Sequence, residues 1–179
     1  MNSRKLTRGA ICVTLIVIAS YIAFPLPLTP SMVTAQTLVI NVIGLILTPK
    51  EALLTMGIYT TMGIIGLPVF VGGSSGIGKI LGPSGGYYIA FLIVPAVISL
   101  LKGQRSSFKR YLLVTIGVGI PIIYFFGTLG MSIYQQVGFI EVLTLSVLPF
   151  IVGDLMKCIG AVYVSLALKK ALPTLREVY

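Results

Sequence analysis

The chain has 179 residues, about one domain's worth. Hydrophobic residues make up 56% of it and charged residues 9%, with a mean hydropathy of +1.05, whereas a soluble domain carries about 25% charged residues. These figures exclude a water-exposed globule, which would lack charges to cover its surface, and a disordered chain, which needs low hydrophobicity.

The net charge is +9. Nucleic-acid binding would need a basic face on a soluble fold, so no nucleic-acid partner is expected and the excess is read as loop cations of a membrane protein. Histidine is absent, which removes imidazole catalysis and His-ligated metals. Cys12 and Cys158 sit in apolar runs and match no zinc or redox spacing. No metal, cofactor or catalytic residue is expected.

Arg4, Lys5 and Arg8 precede an apolar run, Ala10–Phe24, that resembles a signal peptide. No small-x-small cleavage site follows within reach, and the run is read as a membrane helix that stays attached. This first helix, Leu6–Phe24, is stopped by Pro25, Pro27 and Pro30. A second runs over Met32–Leu47 and ends at Thr48-Pro49. A third starts near Pro49 or Lys50, where proline is tolerated, and reaches Leu67. The fourth is Gly86–Leu101, the fifth Arg110–Leu129, and the sixth Val142–Leu168, with Pro149 as a kink or a true start. Several are short for a ~30 Å hydrocarbon core.

The cations orient these six helices. Arg4, Lys5, Arg8, Lys50, Lys102, Arg105, Lys109, Arg110, Lys169, Lys170 and Arg176 all fall on one side. Lys79 falls in an opposite loop and Lys157 inside the sixth helix. Positive residues collect in the cytoplasm, so both termini are expected there. The fold class is therefore all-α: a single membrane-embedded domain, 1–179, of six transmembrane helices in the lipid bilayer.

Two features do not belong in lipid. Asp154 and Lys157 lie three apart in the sixth helix and share a face. An intramembrane charge costs at least about 2.5–3.5 kcal/mol at mid-bilayer, so the two either form a packing pair or face a polar ligand. Gly153 beside them would admit a ligand or a neighbouring backbone. The other feature is the segment 66–87, in which eight of 22 residues are Gly. Irregular backbone reaches membrane depth only where it lines a cavity. Its apolar filling argues for an ordered, re-entrant external lid between helices three and four rather than a tether. Gly73 to Gly78-Lys79 has P-loop spacing, but Ile80 replaces the Ser/Thr that holds Mg²⁺.

Gln36 is read as a buried amide, either packing or touching a ligand. Tyr59, Tyr87, Tyr88 and Tyr124 are read as interfacial tyrosines, with Tyr87, beside the lid, the best candidate for a ligand contact. Ala10 and Thr14 form a small-x₃-small pair on the first helix, suited to close approach by a partner helix.

Gly66-Leu67-Pro68-Val69-Phe70, then Gly72-Gly73, then Leu81-Gly82-Pro83-Ser84-Gly85-Gly86-Tyr87, then Pro149-Phe150-x-x-Gly153-Asp154-Leu155-x-Lys157, resemble the BioY family. These are the biotin-binding S components of energy-coupling factor (ECF) transporters. The resemblance implies a multi-pass protein of a prokaryotic plasma membrane that binds biotin near the external face and has no ATPase of its own. It implies docking through helix 1 onto a transmembrane coupling subunit that carries two ABC ATPases, and toppling in the membrane to deliver the vitamin. Asp154 and Lys157 become ligand contacts, and Gly72, Gly73 and Ser74 with Gly85, Gly86 and Tyr87 become the lid. Thr14 stands where the family usually has Ala. An ionised Asp154 suits the ureido N–H groups of biotin, and Lys157 suits its ureido carbonyl or its carboxylate. Ser74 or Ser75 can add hydrogen bonds, and Phe70 and Val71 can wall the apolar parts. An S component for another vitamin, an intramembrane acid–base enzyme using Asp154 and Lys157, and a structural membrane protein are the alternatives.

Overall fold

The computed structural model describes residues 3–25, 32–172 and 175. Pro27, Pro30 and Arg176, which enter the reading above, lie outside them. Most of the described chain is helical. Helix α1 spans Ser3–Tyr21, α2 Gln36–Ile46 and α3 Pro49–Ile64. A short α4, Ile77–Leu81, precedes α5, Gly85–Leu101. Helices α6, Phe108–Val114, and α7, Ile120–Gln135, are joined by a π turn, Thr115–Gly119. Helices α8, Phe139–Ser146, and α9, Ile151–Ala171, are joined by a 3₁₀ turn, Leu148–Phe150.

The fold is not purely helical. Strands β1, Ala23–Pro25, and β2, Met32–Thr34, form an antiparallel ribbon with Phe24 opposite Val33. Pro25 cannot continue a helix and holds Phe24 extended, so α1 stops at Tyr21 and not at Phe24. Ile22 O accepts from Ala35 N at 3.1 Å and closes the ribbon onto α2, which therefore starts at Gln36 and not at Met32.

The other boundaries have local causes. Thr48 and Glu51 form a reciprocal capping box with Pro49 in the first turn of α3. Pro121 lacks the N–H that would bond four residues back, and the π turn lies just before it. Pro149 falls inside the 3₁₀ turn, so it marks a break between two helices.

Helix α2 is apolar almost all round, and Ile40–Leu47 are all buried. Such a helix belongs at the centre of a bundle. It packs on α9 and α5, while α5 also packs on α7 and α3, and α1 lies against α3. Gly86 lets α5 and α7 meet: a Cβ there would lie 1.9 Å from Phe126 O.

One end of the bundle is basic. Lys5 lies 3.5 Å from Glu51, and Arg110 Nε donates to Leu101 O. Lys102 is fully buried and donates to Gly44 O at 3.1 Å and to Leu47 O, the last carbonyls of α2, where a cation complements the helix dipole. Lys169 donates to Tyr111 Oη at 2.7 Å. These contacts gather the N-termini of α1, α3 and α6 with the C-termini of α2, α5 and α9.

The outer surface is apolar. Ile65, Leu113, Ile140, Val152 and Met156 are each about 70% exposed, far more than a water-soluble monomer displays. Among the described residues, two helical runs, Phe108–Gln135 and Phe139–Ala171, are long and apolar enough to cross a membrane, and α2 and α5 are shorter apolar helices.

Candidate functional site

At the end opposite the basic cluster lies a cavity of about 200 Å³, room for much more than one water molecule. Its wall draws on the β-ribbon (Met32, Thr34), the start of α2 (Gln36, Thr37), the loop after α3 (Val71, Ser74), α5 (Tyr87, Tyr88, Phe91), α7 (Ile123, Tyr124) and the Phe150–Lys157 stretch. Lys79 from α4 and Ser84 complete it on the loop side.

Asp154 is the electrostatic centre. Its Oδ1 accepts from Lys157 Nζ at 2.9 Å and Thr37 Oγ1 at 3.3 Å, and its Oδ2 accepts from Tyr124 Oη at 2.8 Å. The two readings of the Asp154–Lys157 pair therefore coexist: the side chains are clasped, and both line the cavity. A carboxylate offers about four lone-pair positions, so one on Oδ2 is left for a guest. Lys157 keeps donors beyond the one given to Asp154. Gly153 plays no close-packing part, because a Cβ there would meet nothing within 4 Å.

Gln36 is fully buried and on the wall. Its Nε2 donates to Tyr59 Oη at 2.7 Å, and Tyr59 Oη donates to Val69 O at 3.1 Å. Tyr59 is fully buried and Tyr88 nearly so, while Tyr124 bonds Asp154. None of these three is a belt tyrosine, because each hydroxyl is used inside the protein; Tyr88 Oη accepts from Val71 N at 3.3 Å. Tyr87 is half-buried on the wall, with its hydroxyl 3.5 Å from Ser146 O.

The loop after α3 is folded back on that helix. Gly76 N donates to Gly63 O at 2.7 Å, and Phe70 N to Ser74 O at 2.9 Å. A 3₁₀ turn, Val71–Gly73, contains Gly72 at φ 65°, a left-handed value that favours glycine.

Of the residues expected to meet a ligand, the structure brings Asp154, Lys157, Gln36, Ser74 and Tyr87 to the cavity, and Val71 with them. It does not bring Phe70, Gly72, Gly73, Gly85 or Gly86. Phe70 is fully buried; its ring tilts over Tyr88 with centroids 4.3 Å apart and fills the space that a Cβ on Gly63 would need. Gly73 lies against Tyr21, Gly85 against Ile80 O, and Gly86 against α7. Gly72 shapes the turn. Gly72 and Gly73 frame the loop, Gly85 and Gly86 pack the start of α5, and none of the four is on the wall.

Thr37, Thr34, Tyr124 and Lys79 are wall residues that the sequence reading did not assign. Lys79 carried a signal, as a lone cation in a loop on the cation-poor side. Tyr124 carried none that separates it from an interfacial tyrosine.

The profile of the BioY family matches residues 1–174. The chain belongs to the BioY family. It is 36% identical over 165 residues to a probable biotin transporter BioY of Pyrococcus horikoshii, covering 92% of this chain and 96% of that one. It is 32% identical over 167 residues to the biotin transporter BioY of Thermotoga maritima, covering 93% and 96%. Among solved structures, it is similar to a crystal structure of the S-component for biotin from an ECF-type ABC transporter. The TM-score is 0.88 at 30% identity, with 94% of this chain and 92% of that one covered. The BioY family consists of transporter components, not enzymes.

Proposed function

We propose that this chain captures biotin as the membrane-embedded substrate-binding subunit of an ECF-type importer. The observation that carries the reading is the match over nearly the whole chain to an S-component for biotin, joined to a cavity whose one carboxylate is braced by Lys157, Thr37 and Tyr124.

Six transmembrane passes with cytoplasmic termini follow from the gathering of cations at one end. The cavity then opens near the outside of a prokaryotic plasma membrane. Asp154 accepts a ureido N–H and Lys157 serves the ureido carbonyl. Ser74 and Tyr87 close the wall from the loop side; Gly72 and Gly73, with Phe70, hold that loop in place, and Gly85 and Gly86 seat the start of α5 that carries Tyr87. No cofactor takes part; energy comes from a transmembrane coupling subunit and two ABC ATPases. Ala10 and Thr14 are exposed on α1 beside exposed Ile11 and Leu15, and this face meets the coupling subunit. Co-purification with that subunit is expected to fall severalfold in Ala10→Trp; an undiminished complex moves the interface elsewhere.

Lys79 takes the valerate carboxylate, since Lys157, clasped to Asp154, serves the ureido end of the ligand. Lys79→Ala is expected to weaken biotin about fivefold, in line with about 1 kcal/mol for an exposed ion pair. Biotin methyl ester, which has no carboxylate, should bind the variant and the parent alike. Calorimetric titration of the detergent-purified protein with biotin tests the function itself. Saturable binding is expected, and its absence removes the proposal.

A further inference from the structure

Tyr59 lies behind the cavity wall, yet its hydroxyl decides what the wall presents. A phenol has one proton to donate. Val69 O has none, so the 3.1 Å contact requires Tyr59 to donate to it. The Tyr59 oxygen must then accept from Gln36, and only the Gln36 amide NH₂ can donate at 2.7 Å. The flipped amide would set two oxygens against each other. Gln36 Oε1 is therefore the atom left over. It is buried and has no hydrogen-bond partner among the described residues, and its residue lines the cavity. A buried acceptor without a donor is unfavourable and uncommon in native proteins.

We propose that Tyr59 is a positioning residue that locks Gln36 as the second N–H acceptor of the ligand site. This rests on the biotin reading. The two N–H groups of the ureido ring diverge on either side of its carbonyl, so one carboxylate cannot serve both. Asp154 has one lone-pair position left, on Oδ2, and Gln36 Oε1 supplies the other acceptor. Thr37, the next residue after Gln36, is bonded to Asp154, so the two acceptors are held in register through α2. Because Val69 belongs to the loop after α3, the orientation of Gln36 and the seating of that loop are one unit.

The test titrates full-length protein in detergent with biotin and its two ureido N-methyl isomers. Binding of biotin by the unaltered protein checks the underlying reading separately. Gln36→Leu should weaken biotin about tenfold, as expected for one lost ligand hydrogen bond. In the unaltered protein one N-methyl isomer should bind worse than biotin because it blocks Gln36, and Gln36→Leu should abolish that extra penalty. Tyr59→Phe should weaken biotin by several-fold, and should add less than twofold on top of Gln36→Leu. A merely structural Tyr59 would lower biotin and both isomers equally in either background. The proposal is overturned if the N-methyl penalties are the same with and without Gln36, or if the Tyr59 and Gln36 effects multiply. Should Tyr59→Phe not fold, the isomer comparison in Gln36→Leu still decides whether Gln36 is the acceptor that the lock requires.

Discussion

Asp154→Asn is expected to weaken biotin binding by at least about 100-fold, equivalent to about 3 kcal/mol. The side chain keeps its shape, so the change isolates charge. The amide NH₂ must face either Lys157 and Thr37 or Tyr124, all of which now donate to the carboxylate. Lys157 is left as a cation without its counter-charge in a low-dielectric wall, the expensive way to break a buried pair. The clasp also makes a structural reading possible, and a second variant separates the two. Asp154→Asn combined with Lys157→Met removes the stranded cation and should recover much of the melting temperature lost in the single change. Biotin affinity should stay low, because the carboxylate proposed to accept the ureido N–H is still missing. If the double variant bound biotin like the parent, the pair would be a packing device and the ligand would sit elsewhere. Near-parental affinity in the single variant would have the same meaning.

Gly86→Ala is expected to be the most damaging one-carbon change where two of the long helices meet. The added Cβ would lie 1.9 Å from Phe126 O and 3.1 Å from the Cα of Gly130. Both obstacles are backbone of α7, so neither can swing aside as a side-chain tip would. Overpacking usually costs about 1–3 kcal/mol and sometimes more, and a rigid obstacle places this case at or above the top of that range. A loss of about 3 kcal/mol corresponds to a melting temperature lower by roughly 6–12 °C for a chain of this size. Tyr87, on the cavity wall, is the next residue of α5, so biotin affinity should fall as well. Gly153→Ala is the control. Its Cβ would meet nothing within 4 Å, and alanine favours the helix by up to about 1 kcal/mol, so its melting temperature should be unchanged or higher. A tolerated Gly86→Ala, read by thermal unfolding in detergent, would show that α5 and α7 are not in rigid contact.

The long apolar runs were legible from hydropathy, and the cation asymmetry predicted which helix ends would gather; the contacts of Lys5, Lys102, Arg110 and Lys169 agree with that pairing. Asp154 and Lys157 stood out because charges are rare among apolar residues. What stayed hidden depends on tertiary contact. Phe70 reads as a wall residue because it sits in a glycine-rich loop, but the notch left by Gly63 draws it into the core. Tyr59, Tyr88 and Tyr124 look like belt residues from their places near helix ends, since nothing local says which way a hydroxyl turns. Thr37 and Thr34 have no distinguishing neighbours in the sequence. The β-ribbon escapes because three-residue strands give no periodic signal, although Pro25 already marked where the first helix could not go on.

The interruption at Leu148–Phe150 sets how deep the carboxylate lies. An unbroken rod over Phe139–Ala171 would be about 50 Å long, well beyond the hydrocarbon thickness of about 30 Å. With the break, α9 alone has 21 residues and a length of about 31 Å, a fit to that thickness without a large tilt. Asp154 is the fourth of those residues, so in the proposed orientation it sits about 5 Å below the outer boundary. At that shallow depth an anion escapes most of the penalty it would face at the midplane, while remaining within reach of a vitamin that arrives from the water.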